Sequence, residues 1–403
     1  MPEQLDDFKI EYEQRKNKAP RIKKIHSANH DFFFWNYEDQ TKIKHLALNA
    51  YFKPWSTILS SRGNINYYDG FGGCGAYVDV QTKEIGYGSP ILAISSTIEN
   101  GTNNKCSFFI SEKNQETVDN LKKVLAYNKL SDRNVFIEQG DFDTKINAFL
   151  DKLEKKPIPT FFLLDPFGID VKYETIKRIM SISQTEILFN FMYNYLNRFL
   201  THEKSSSGIT ELYGCNDWIK IRDLYGHQKE EALVTLFRSR LKEFSKFVYQ
   251  YRLSFQDQDK TYYYLFHLTN NIKGCSIMKD SFASVNYGNV EFLGPNQPNP
   301  AQLCLIDQSE LIRDNIKDDI YRKYKDTSIK YEILLQEYID NSPYLEKQIR
   351  NAVSSMEGEF LNINRQGKTE SGRLRDKGLK PEDIVVFYQV PKKVEKVEQG
   401  SLF

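Results

Sequence analysis

The sequence predicts an α/β fold, a doubly wound and mostly parallel sheet followed by a smaller second domain. Three observations carry this. Short apolar runs at Asn64–Asp69, Cys106–Glu112, Val135–Asp141, Thr160–Asp165 and Thr185–Phe191 alternate with amphipathic segments at Gln115–Tyr127, Lys145–Leu153 and Tyr173–Ile182, as parallel strands alternate with their crossover helices. The first run feeds a glycine-rich turn, Gly70-Phe71-Gly72-Gly73-Cys74-Gly75, and the fourth stops at Asp165-Pro166-Phe167-Gly168. Beyond about residue 308 the composition changes to short charged helices and then two short strands.

Taken in order, residues 1–40 are charged and aperiodic at first and read as a loosely held arm. Residues 41–60 place Ile43, Leu46, Leu48, Tyr51 and Phe52 at near-helical spacing, with Pro54 bending or interrupting the helix. Ser89-Pro90 reads as the N-cap and first residue of the next helix, which leaves Ala76–Gly88 as an inserted loop. Tyr262–Leu268 and Val290–Leu293 are later strands, around a helical stretch near Ser276–Phe282. The Gly294–Pro300 run is the clearest breaker. These features set a first domain at 41–307. Two helices (Tyr331–Ile339, Leu345–Ser354) and two strands (Phe360–Asn364, Ile384–Tyr388) around a Gly/Arg/Lys-rich loop set a winged-helix-like domain at 308–390. Residues 391–403 form a charged tail.

Composition excludes several classes. At 403 residues the chain can bury one large core and a smaller one. The net charge of +1 gives no whole-molecule signal for nucleic acid, so any basic surface is local. The 25 Tyr and 27 Phe suit base stacking and ordinary packing alike. Five scattered Cys, with no paired spacing, fit neither a zinc site nor a disulfide framework. No metal site is expected. A polar, acidic start and the lack of an 18-residue apolar run read as a soluble, cytoplasmic protein without a membrane partner.

The chemistry concentrates at the expected carboxyl edge of the sheet. Asp69, Phe71, Gly73 and Gly75 form a turn that serves either as a tight connection or as a cofactor loop, because glycines let a ligand approach the backbone. Glu112 ends the second strand, where a carboxylate can accept from two ribose hydroxyls or lie solvated. Asp141 ends the third and can meet an adenine amino group. Asp165, the carbonyl of Pro166 and the ring of Phe167 suit an aromatic amine: two acceptors free its lone pair and the ring stacks on the base. A strand cap and turn is the alternative. Asn190 ends the fifth strand on the same edge. His45 and His267 are lone histidines in apolar patterns, more in keeping with packing than with catalysis. Arg365, Lys368, Arg373, Arg375 and Lys377 form the best local basic patch, either a phosphate-contacting wing or a solvated loop.

Taken in order, several motifs resemble the three-Cys-motif partner family, bacterial proteins with a Rossmann-like, class I methyltransferase-like domain. They are Lys44-His45 with Tyr51 and Trp55, Tyr68-Asp69-Gly70-Phe71 with Gly73 and Gly75, Gly88-Ser89-Pro90, Asp165-Pro166-Phe167-Gly168, Asn190-Phe191, Tyr213-Gly214 with Trp218, and Met278-Lys279. The resemblance spans roughly 40–285. Cys74 departs from it, standing where relatives commonly carry Pro. Asp-Pro-Phe-Gly also differs from the best-known amino-methyltransferase ending and is closer to that of transfer-RNA guanine dimethyltransferases.

The resemblance implies S-adenosylmethionine as cofactor, an exocyclic amine of a base in DNA or RNA as acceptor, and a radical-S-adenosylmethionine-like three-Cys-motif protein as partner. A non-catalytic nucleic-acid-binding adaptor for that partner is the alternative. At the end of the chain, Gln399-Gly400-Ser401-Leu402-Phe403 resembles the peptide by which bacterial proteins dock on the replication sliding clamp. In that reading Leu402 and Phe403 fill an apolar pocket and Gln399 hydrogen-bonds beside it. DNA repair or phage defence is the setting these features suggest.

Overall fold

A computed structural model describes residues 3–15, 18–131, 134–255, 258–284, 290–293, 308–368 and 375–391. The chain divides into two compact units, Met1–Leu293 and Gly294–Phe403. The division thus falls at the start of the breaker run, earlier than the change of composition near 308.

In the first unit, strands β1 (Lys9–Arg15), β2 (Lys18–His26) and β3 (Phe33–Asn36) precede helix α1 (Asp39–Ser60). Next come β4 (Ile65–Asp69), the hairpin β5 (Ala76–Val78) and β6 (Ile85–Tyr87), and α2 (Ser89–Glu99). The alternating core follows as β7 (Cys106–Glu112), α3 (Gln115–Tyr127), β8 (Val135–Gln139), α4 (Phe142–Lys155), β9 (Thr160–Leu164), α5 (Tyr173–Ser181) and β10 (Thr185–Phe191). Helices α6 (Tyr193–Phe199), α7 (Ser206–Tyr213), α8 (Trp218–Ile221) and α9 (Gly226–Leu241) lead to β11 (Phe247–Phe255), β12 (Gln258–Thr269), α10 (Ile272–Ser284) and β13 (Val290–Leu293).

Eight strands pair in the order β13-β11-β12-β10-β9-β4-β7-β8. The five from β10 to β8 are parallel, and β12, β11 and β13 extend the sheet antiparallel. Counted along the chain, the parallel strands lie in the order 3-2-1-4-5, so the winding reverses between β4 and β9. Every residue of β4, β9 and β10 is buried, which is why these strands read as continuous apolar runs and not as alternating ones. A crevice outside the carboxyl ends at such a reversal is where doubly wound sheets bind ligands.

Two local expectations are corrected, and the alternative left open at Pro54 is narrowed. Residues 9–36 are folded, not a loose arm: β1, β2, β3, β5 and β6 form a second, five-stranded sheet. Phe32, Phe33 and Phe34 are buried there, and Asn120 of α3 ties them down. Its side chain accepts from the Phe33 N–H at 2.8 Å and donates to the Phe33 and Cys74 carbonyls at 2.9 Å each. The expected Ala76–Gly88 loop supplies two strands of that sheet. Helix α1 runs through Pro54. The ring removes the N–H that would have bonded the Ala50 carbonyl, and the Ser281 hydroxyl donates to that carbonyl at 3.1 Å instead.

The second unit contains α11 (Gln308–Tyr324), β14 (Ser328–Lys330), α12 (Tyr331–Asn341), α13 (Glu346–Ser355), β15 (Leu361–Asn364) and β16 (Ile384–Phe387). Its three strands pair antiparallel in the order β14-β16-β15. Ile320, Leu334, Ile349, Val353, Leu361 and Val385 are fully buried in it. Among the described residues, no helix is long and apolar enough to cross a membrane.

Candidate active site

The glycine turn after β4 is shaped from below and behind. A Cβ at Gly72 would lie 2.3 Å from the Ile110 side chain, and one at Gly75, where φ is +84°, would lie 2.7 Å from Leu121 of α3. Both positions exclude a side chain, and at Gly75 the excluded space belongs to α3 and not to a ligand. Gly73, at φ +65°, faces Trp35 and Tyr77. The turn is therefore a packed support, and only Gly70 and Phe71 of it reach the open cavity.

That cavity, about 630 Å³, lies at the carboxyl edge between Gly70, Phe71, Glu112, Asp141, Phe142 and Phe167. The Phe71 ring stacks on Phe142, with centroids 4.8 Å apart and planes at 24°. Glu112 accepts from the Gly73 N–H at 3.2 Å through one oxygen and from the Asn114 N–H at 2.9 Å through the other. A carboxylate offers about four acceptor positions, so two remain beside the cavity. Asp141 caps α4 by accepting from the Asp143 N–H at 3.1 Å, and its exposed side chain lines the same space.

Asp69 has a different place. It is fully buried and accepts from Ser89 Oγ at 2.7 Å, Tyr67 Oη at 3.0 Å and the Phe71 N–H at 3.1 Å. It braces the turn and does not line the cavity. Ser89, expected as an N-cap, is instead the first residue of α2 after Gly88, and its hydroxyl goes to Asp69. Burial pushes the Asp69 carboxyl up to about 6, against the lowering effect of these three donors. Because the folded value is raised, this group contributes stability that is full below about pH 3.9 and is lost as the pH rises through about 6. Asp69→Asn is therefore expected to lose stability less than the parent chain between pH 4 and 7, by about 2–3 kcal/mol across the window. Urea midpoints at pH 4, 5, 6 and 7 test this, and parallel pH profiles would refute it.

Asp165 follows β9 at the winding reversal, with its side chain 27% exposed. One oxygen holds the Lys44 ammonium of α1 and the other accepts from Asn190 Nδ2. The structure thus brings Asp165 and Asn190 together, and it adds Lys44, which no local pattern ties to Asp165. Asn190 Oδ1 is buried without a hydrogen-bond partner among the described residues. Asn190 also lines a pit of about 20 Å³ with Lys44, His45, Ser89 and Asp165, room for a single water. Pro166 is buried, whereas Phe167 is 64% exposed and meets Trp35 edge-on at 5.8 Å. Trp35 belongs to β3, in the segment that reads as an arm.

The histidines belong to the packing. His45 is buried against Tyr37 and Tyr77, with Nδ1 3.1 Å from Tyr37 Oη. Burial, and then Lys44 beside it, push its pKa down to about 3, so the ring is neutral. His267 is fully buried against Glu186, which also accepts from Tyr51.

In the second unit two of the arginines expected to contact phosphate are committed elsewhere. Arg365 is bidentate to Glu357 at 2.6 and 2.7 Å. Arg375 is bidentate to Asp383 at 2.8 and 3.0 Å, with both side chains buried. Lys368 is exposed. Arg373, Gln399, Leu402 and Phe403 lie outside the described residues.

No model of a known protein family matches the chain, and no curated protein matches it. Solved structures resemble it loosely. The protein LPL1258 of Legionella pneumophila, from the family DUF519, shares 13% identity over 63% of this chain and 95% of its own, with a TM-score of 0.39. A methyltransferase dependent on S-adenosylmethionine from Agrobacterium tumefaciens shares 9% over 63% of this chain and 74% of its own, with a TM-score of 0.33. The methyltransferase domain of METTL16 shares 14% over 54% of this chain and 66% of its own, with a TM-score of 0.26. None of these proteins lends the chain a residue role.

Proposed function

We propose that the chain is an S-adenosylmethionine-dependent methyltransferase of the three-Cys-motif partner family, acting on an exocyclic amine of a base in DNA or RNA. One observation carries this reading. Asp165 stands at the winding reversal of the sheet, joined to Asn190, close to a cavity onto which the glycine turn and Glu112 open. The cavity volume lies in the range of small-molecule and cofactor sites, and the two open acceptor positions of Glu112 match a pair of ribose hydroxyls. Asp141, which lines the same cavity, would meet the adenine.

The bound cofactor would supply an electrophilic methyl group on a sulfonium, so the chain needs no strong base. Its residues have to desolvate and aim the amine. Asp165 accepts one amine N–H and the Pro166 carbonyl a second, which frees the nitrogen lone pair from the ring. Phe167 offers an exposed face for stacking. Asn190 holds the carboxylate in place. Lys44 keeps charge beside Asp165 balanced, an arrangement that favours a neutral amine over a cationic one.

The helix-strand-helix-helix-strand-strand order of the second unit and its β14-β16-β15 sheet support a winged-helix-like reading, with Lys368 on the loop available to phosphate. A second reading rests on Lys44: with both Asp165 oxygens already engaged, the fold serves as a nucleic-acid-binding adaptor without turnover. Calorimetry with S-adenosylmethionine separates the two. Binding to the parent chain is expected, and Glu112→Ala should weaken it by about 1.5–3 kcal/mol, the worth of charge-assisted hydrogen bonds. Equal affinities would remove Glu112 from the site, and no binding by the parent chain would leave the adaptor.

A further inference from the structure

Away from the carboxyl edge, a slot of about 440 Å³ opens between α4 and the face of β4, β7 and β8. Edge strand β8 is the cause: α4 covers the sheet nearer its centre and leaves the outer strands bare. Four rings line the slot. Phe109 stacks on Phe136 with centroids 5.1 Å apart and planes at 17°, Phe149 lies 4.7 Å from Phe109, and Tyr68 lies 4.8 Å from Phe149. Phe136 is 50% exposed, an unusual state for a strand phenylalanine backed by other rings.

The rim is basic. Lys145, Lys152 and Lys156 project from α4 and its C-terminal end onto the slot, against a single acid, Glu138. Glu138 is already paired with Lys145 at 3.2 Å. Lys152 and Lys156 have no carboxylate partner among the described residues; the negative end of the α4 dipole at its last turn works against an anion but offsets only part of two full charges. The lining otherwise offers small polar groups, Asn66 and Ser107 toward the amino ends of β4 and β7 and Ser111 toward the carboxyl end of β7. An aromatic floor, two unneutralised ammonium groups on one side and a volume suited to a small molecule make a consistent set.

We infer that this slot is a binding site for a small planar aromatic anion, its rings on Phe136 and Phe109 and its acidic group at Lys152 and Lys156. The site is independent of the proposed methyl-transfer site, although the two share a wall. The Ser111 hydroxyl, toward the carboxyl end of β7, donates to the Gly70 carbonyl at 3.0 Å, and Lys145 occupies the space that a Cβ at Gly140 would need.

The test uses the full chain and 8-anilinonaphthalene-1-sulfonate, with uncharged N-phenyl-1-naphthylamine as its neutral counterpart. Calorimetry and fluorescence should give saturable 1:1 binding of the anion. The double variant Lys152→Glu/Lys156→Glu should weaken the anion about tenfold or more, the effect of losing one charge-assisted contact, and leave the neutral probe within about twofold. Phe136→Ala should weaken both. All three positions are exposed, so the fold should survive, as equal thermal midpoints would verify. Non-saturable binding of the anion, or binding indifferent to both variants, would overturn the inference. Equal loss of both probes in the double lysine variant would do so too, because charge would then play no part.

Discussion

Asp165→Ala is expected to lower methyl transfer to nucleic acid by about 10²–10³-fold, the usual cost of removing one oriented group from a reacting centre, while cofactor affinity stays within a few fold. The reason is positional. Asp165 lies beyond the end of β9, beside the cavity and not among the residues that line it, so its removal disturbs the amine and not the cofactor. Asp165→Asn sharpens the test: the shape is kept, but one acceptor oxygen becomes a donor facing both Lys44 and the incoming amine. It should be as impaired as the alanine variant. Transfer of labelled methyl groups to cellular DNA and RNA, measured beside calorimetry on the same preparations, reads both quantities. Turnover within threefold of the parent chain would end the proposed role.

The sequence made the centre of this site legible because its parts are local. A strand buried on both faces is mostly apolar and lacks alternation, and the run from Asn64 to Asp69 ends where the glycines begin. The same holds for Thr160–Leu164 and Asp165. The strand ends could therefore be placed on one edge before any tertiary contact was known. Lys44 was recognised only as part of a motif, since its bond to Asp165 joins residues 121 positions apart and no period records such a distance. The second sheet was missed for another reason. Strand β1 alternates Glu11 and Glu13 with Ile10 and Tyr12, and Tyr12 is 51% exposed. The alternation is there, but two apolar residues among Lys9–Arg15 are too few to separate a half-buried strand from a charged coil. Ser89 shows a third kind of failure. Its position before Pro90 matched a helix cap, yet the hydroxyl found a buried carboxylate within reach, and the Leu92 N–H that a cap at Ser89 would serve bonds the Gly88 carbonyl instead.

Arg375→Ala is expected to destabilise the second unit by about 3–5 kcal/mol, the cost of leaving one member of a buried ion pair alone. A reading of Arg375 as a phosphate contact predicts instead weaker nucleic-acid binding on an intact fold. The geometry argues for the first outcome. Arg375 and Asp383 are 6% and 0% exposed, and Asp383 also accepts from the Gln366 and Lys380 N–H groups at 2.9 and 2.8 Å. Together these bonds pin the base of the loop that joins β15 to β16. Burial alone would raise the Asp383 carboxyl, but Arg375 and the two N–H groups hold it below its ordinary value. The pair's contribution is therefore present above about pH 3.9 and is lost as the pH falls through the lower, folded-state value. Lys368→Ala is the control on the same loop. Its side chain is exposed, so its stability should change by no more than about 0.5 kcal/mol. Any loss of nucleic-acid affinity should then appear as a shallower dependence on salt. Urea unfolding of the full chain, with proteolysis to report on residues 308–391, distinguishes the two variants. Arg375→Ala as stable as the parent chain at pH 7 would return this arginine to the candidate nucleic-acid surface, because a buried carboxylate cannot lose its bidentate cationic partner without cost.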